Sequence, residues 1–174
     1  MIPLKDYLKI TLMTIIGFMC SLLIYPFLHE WGHALTAILL GGKCVAIHLF
    51  PSPYMVCDAA DIGEFELVAI GLSGILFPLP VSFVLCGGNF YMWFARLILR
   101  GIIVLSLAIS ALIVALRNFG IVAQGDDITE ILHIWSGGST WIGGGSLVLC
   151  VLVSALIVKD KPVRKITVQL GQAF

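Results

Sequence analysis

Four long apolar stretches, each bounded by a cluster of polar or turn-forming residues, divide the chain. They cover about residues 7–40, 65–86, 90–116 and 141–158. A helix needs about 20 apolar residues to cross a bilayer, and lipid tolerates only helices or a closed barrel, because it offers no water to unpaired backbone groups. The runs are continuous rather than alternating, which predicts four spanning helices. The first is unusually long, and Pro26 is placed to kink it. The second contains "GLSGILFPLP", whose Pro78 and Pro80 disturb its last turns. A short amphipathic piece, Asp127 to Ile134, predicts a half-length helix ahead of the fourth span. Between spans one and two, "GKCVAIHLFPSPYMVCDAAD" mixes β-branched and aromatic residues around a "PSP" break. That pattern predicts a small β-hairpin or extended loop at the membrane surface. The glycine-rich "SGGSTWIGGG" lacks the Lys-Ser/Thr ending of a phosphate loop and reads as a flexible connector leading into close helix packing.

Composition turns this pattern into a class. With 60% hydrophobic residues, 11% charged residues and a mean hydropathy of +1.08, the chain has too little polar surface for a soluble domain. The expectation is an all-α integral membrane protein, with one domain over residues 1–158 and a short polar tail over 159–174. The bilayer is then its first partner. Zero formal net charge and the lack of a basic cluster argue against nucleic acid. The first apolar run is too long for a signal-peptide core and has no small-x-small cleavage site, so it reads as a retained span. Compactness and the lack of targeting signals lean towards a bacterial inner membrane.

Charge sets an orientation. With four spans both termini share one side, and with the second-to-third connection they collect Lys5, Lys9, Arg96, Arg100, Lys159, Lys161, Arg164 and Lys165. The other side has Lys43 and Arg117 amid Asp58, Asp61, Glu64, Asp126 and Asp127. Positive charge stays inside, which predicts cytoplasmic termini. Cys20, Cys86 and Cys150 lie in or at the ends of apolar runs and read as small buried hydrophobes. Cys44 and Cys57 bracket the expected hairpin, where a disulfide is open to them if that loop is extracytoplasmic.

One stretch, "YPFLHEWGHALTAILLGG", departs from the apolar logic. His29, Glu30 and His33 are costly in hydrocarbon, and ionisable groups inside a span signal function. Histidines at i and i+4 project from one helix face with about 6 Å of rise between them, so both imidazoles reach one metal ion. Glu30, turned about 100° from His29, can address a nearby water. This is the His-Glu-x-x-His arrangement of two zinc ligands and a general base. Zinc makes water acidic near neutral pH, and Glu30 would take the proton. A lone buried histidine is more often a hydrogen-bonded core residue, but three such groups at this spacing point to a metal.

A catalytic zinc usually has three protein ligands. Asp58, Asp61, Glu64 and Glu66 lie in or beside the first loop, whereas Asp126, Asp127, Glu130 and His133 follow the third span. "AQGDDITEIL" is the better donor, since an Asp at a helix start can reach inward; ordinary N-capping is its competing role. Gly32 lets another helix approach, Trp31 packs, His48 reads as a surface histidine, and His133 as a partner for a carboxylate.

"HEWGHAL" after an apolar run resembles the signature of the site-2 proteases, zinc metalloproteases that cut within membranes. "GLSGILFPLP" is similar to that family's small-residue segment, and the Gly125-Asp126 pair to its third-ligand position. The resemblance implies that His29, His33 and Asp126 hold Zn2+, with Asp127 as the alternative third ligand, and that Glu30 is the base. The family often leads into its Asp-Gly with Asn-x-x-Pro; "RNFGIVAQGDD" has no proline, and Asn118 stands where a substrate-holding asparagine would be implied. The implied function is zinc-dependent intramembrane endopeptidase, with a transmembrane protein as substrate. A catalytically inactive relative, or a membrane metal-binding or transport protein, is the alternative.

Overall fold

The computed structural model describes residues 4–51, 53–58, 62–84, 89–122 and 126–161, with residues 164, 166 and 168. Asp61, Cys86, Gly125, Lys165 and most of the 159–174 tail lie outside these residues. The order is α1 (Leu4–Met19), a π-helical turn (Cys20–Ile24), α2 (Tyr25–Leu39), β1 (Lys43–His48), β2 (Tyr54–Asp58), α3 (Glu64–Leu76), α4 (Pro78–Val84), α5 (Phe90–Asn118), α6 (Asp127–Ile134), a 3-10 turn (Ser136–Gly138) and α7 (Ser139–Asp160). Four helices, Tyr7–Leu39, Glu64–Val84, Phe90–Asn118 and Ser136–Asp160, are long and apolar enough to cross a membrane. Among the described residues the protein is all-α apart from one two-stranded antiparallel sheet after the first helix.

Proline explains the irregularities. Pro26 has no N–H, and its ring crowds the carbonyl four residues back. The helix absorbs this through the wider π turn, where the Tyr25 N–H reaches Cys20 O, and α2 then runs on without a break in the chain path. In the second span, α3 stops at Leu76 and α4 restarts at Pro78. The glycine-rich connector is more ordered than expected. Ser139–Gly145 forms the first turns of α7, because Gly143 packs directly on Val114 of α5.

The core lies between α3, α5, α6 and α7, where Val68, Leu99, Ile103, Leu107, Ile131 and Ile142 meet. The outer faces are apolar and exposed, as at Phe18, Leu22 and Val151, which is the arrangement for a lipid solvent. Of the terminal-side cations, Arg100 is 2% exposed. Its Nη1 donates to Asp160 Oδ2 at 2.6 Å, and its guanidinium lies 4.5 Å over the Phe83 ring, which ties α5 to α7 and α4.

Helix α2 packs along α3 at the level of the histidines. A Cβ on Gly32 would sit 2.6 Å from Ser73 O and 2.7 Å from Phe77 Cβ. Glycine is therefore required there for the close approach, and that approach positions the site.

Candidate metal centre

Every polar group of the opening motif is placed by α2. The helical repeat puts His29 and His33 on the face turned towards α3 and α6, with ring centroids 4.7 Å apart. The His33 ring is oriented by α3: Nδ1–H donates to Ile70 O at 2.7 Å, which leaves the Nε2 lone pair facing the site. Gly74 makes room for both rings. A Cβ there would overlap the His33 ring and lie 2.9 Å from His29 Cε1.

The third donor comes from the N-terminus of α6. Asp127 Oδ2 is 2.9 Å from His29 Nε2 and 3.2 Å from His33 Nε2, and the two imidazole nitrogens are 3.2 Å apart. The three atoms form a nearly equilateral triangle. Tetrahedral zinc with bonds of about 2.0–2.1 Å spaces its ligand atoms about 3.3 Å apart, so the triangle fits one face of that tetrahedron. Two imidazole nitrogens and a carboxylate oxygen converging at this range could hold a metal ion between them. Burial alone would raise the Asp127 carboxyl, but hydrogen bonds from His29 and His33 outweigh it and hold the group well below the usual carboxylate range.

The resemblance implied Asp126 as ligand with Asp127 as the alternative; the structure brings Asp127 to the imidazoles, while Asp126 borders the same cavities. Asp126 is the N-cap of α6: Oδ1 accepts from Thr129 N at 2.9 Å, and Oδ2 accepts from the Thr129 hydroxyl. Both its oxygens are thus occupied by the helix start, and the next residue turns inward to the imidazoles. Threonine three positions after Asp126 was the sequence signal for this division of labour. Asn118 is also not brought to the site; it is exposed at the end of α5.

Glu30 is 5% exposed and stands between two cavities that share Glu30, Pro53, Asp126 and Asp127 in their walls. One, of about 420 Å3, lies under the hairpin and is bordered by Tyr54, Cys57, Ile70 and Glu130. The other, of about 360 Å3, lies between α2 and α5 and is bordered by Tyr25, His29, Ser106 and Ser110. The Tyr25 hydroxyl donates to Ser106 Oγ at 2.6 Å beside it. Both cavities open onto Glu30 and Asp127, and each has room for water.

No family model, curated protein or solved structure matches the chain. The site therefore rests on its own geometry.

The other candidates fall outside it. Trp31 is exposed and stacks on Phe27, with centroids 5.7 Å apart. His48 stacks on Tyr54 in the hairpin. His133 is exposed and joins no carboxylate among the described residues. Glu64 and Asp58 are exposed at element ends. Reading the sequence missed Tyr25, Gly74 and the Ile70 carbonyl. Tyr25 was visible as i−4 from His29; a backbone carbonyl has no sequence signature.

Proposed function

We propose that this protein is a zinc-dependent intramembrane endopeptidase of the site-2 protease kind, hydrolysing a peptide bond in or near a transmembrane helix of a substrate protein. The observation that carries the reading is the triangle of His29, His33 and Asp127 with Glu30 buried alongside it. These three side chains would hold the ion, and a two-imidazole, one-carboxylate set leaving an open position is a known catalytic zinc set. Zinc supplies Lewis acidity, polarising a carbonyl and making water acidic near neutral pH.

The chain's own residues do the rest. Glu30 takes the proton of the attacking water and returns it to the leaving amine. Burial of Glu30 keeps it from exchanging freely with bulk solvent, while the two cavities admit water and substrate. A substrate helix hides its carbonyls in its own hydrogen bonds and must unwind locally. The hairpin beside the cavity offers open strand edges to hold the extended segment by strand addition. The charge distribution favours cytoplasmic termini in a bacterial inner membrane, with the hairpin on the opposite side.

The test is cleavage of a labelled transmembrane peptide by purified protein in lipid nanodiscs. Wild type cleaves, chelator stops it, and Glu30→Gln keeps its metal and fold but loses at least about 100-fold in rate. Full activity of Glu30→Gln removes the base assignment. Stoichiometric metal without cleavage of any membrane-helix substrate favours a metal-binding or transport protein instead.

A further inference from the structure

The hairpin carries two reactive side chains that the metal centre does not use. Cys44 on β1 and Cys57 on β2 are direct partners in the antiparallel register, and both thiols are free. Strand alternation puts them on one face: Cys44, Met55 and Cys57 are half-buried, while Lys43, Val56 and Asp58 are exposed. That face is the roof of the larger cavity, where Cys57 borders the same space as Glu30, His33 and Asp127.

Directly opposite residues in an antiparallel pair have Cβ atoms about 4.5–5.5 Å apart, and a disulfide needs about 3.5–4.5 Å. The register shifts beside the pair, between Cys44 and Ala46, and strands bend locally at such irregularities. Burial, and then the neighbouring Cys44 thiol and Asp58, push the Cys57 thiol up. Cys20 and Cys150 lie in the helices, away from the hairpin.

We propose that Cys44 and Cys57 are a modification site: they close a reversible intramolecular disulfide by exchange with a disulfide reagent or carrier. One thiol loses its proton and its sulfur attacks the oxidant disulfide, expelling one thiol and forming a mixed disulfide. The second thiol loses its proton and attacks the chain's sulfur in that bond, joining Cys44 to Cys57 and releasing the second thiol. The two cysteines give up two electrons and two protons; the oxidant becomes two thiols. The closed bond pins both strands across the cavity roof.

The test needs neither metal nor activity. Full-length protein in nanodiscs is incubated with oxidised glutathione, as wild type and with Cys20, Cys86 and Cys150 replaced by Ala. Mass spectrometry should show the loss of two hydrogens per chain, a Cys44–Cys57 cross-link within one chain, and reversal by dithiothreitol. If the triple variant does not fold, the wild-type peptide map decides alone. Cys44→Ser and Cys57→Ser should each stop at a stable glutathione adduct on the remaining hairpin cysteine. Amide exchange between residues 44 and 57 should slow on oxidation and recover on reduction. Persistent adducts on both cysteines of the wild type, cross-links only between chains, or no reaction would overturn the proposal.

Discussion

His29 Nε2 on α2 stands 2.9 Å from Oδ2 of Asp127, at the start of α6, almost a hundred positions further along the chain. Both residues border the cavity between α2 and α5, and His33 closes the triangle from one helical turn away. Helices α3 and α5 create this meeting: α3 lies against α2 at Gly32 and Gly74, and α6 packs its Ile128, Ile131 and Leu132 into the shared core.

Neighbouring aspartates should therefore behave differently. Asp127→Asn removes an anionic ligand and should lower zinc affinity by more than the roughly 10–100-fold that loss of an outer-sphere partner costs. Asp126→Asn keeps a capping side chain and should retain the metal, while Asp126→Ala should cost about 1 kcal/mol of stability. Metal content by mass spectrometry and thermal unfolding separate the two. Equal metal loss in both would contradict the division of labour.

Gly74→Ala tests the space around the imidazoles. The added methyl meets both rings, so it should displace a ligand and destabilise the protein by about 1–3 kcal/mol. Gly144→Ala on α7 is the control, because nothing lies within 4 Å of the added atom. It should be neutral or stabilising by up to about 1 kcal/mol, the helix-propensity gain of Ala over Gly.

Acid should act on metal and fold in sequence. Protons compete with zinc for imidazole nitrogen, so metal affinity should fall as pH is lowered through the weakly acidic range. In metal-free protein the folded Asp127 carboxyl is depressed below its unfolded value of about 3.9. Its stabilising contribution is thus complete above that value and lost as pH falls towards the folded one. Unfolding of metal-stripped protein between about pH 5 and about pH 2 should show the loss in the wild type and not in Asp127→Asn.

Away from the site, Asp160→Asn strips the buried Arg100 of its carboxylate and should destabilise by about 1–3 kcal/mol, less than a fully buried pair because Asp160 is 29% exposed. Arg100→Leu combined with Asp160→Asn should recover most of the loss. Stability of both variants in detergent measures this, and an unchanged single variant would remove the pair from the fold's support.

The sequence by itself determined what is local. Long apolar runs specify spanning helices, β-branched and aromatic residues around "PSP" specify a hairpin or extended loop, and four-residue spacing puts His29 and His33 on one face, because each signal is complete within a few consecutive residues. Tertiary structure decided what depends on distant segments meeting. Asp126 and Asp127 have the same chemistry and adjacent positions. Only the docking of α6 against α3, with one aspartate occupied by its own helix cap, determines which carboxylate reaches the imidazoles. The roles of Gly74, the Ile70 carbonyl and the opposed Cys44 and Cys57 arise in the same way, from packing and strand register.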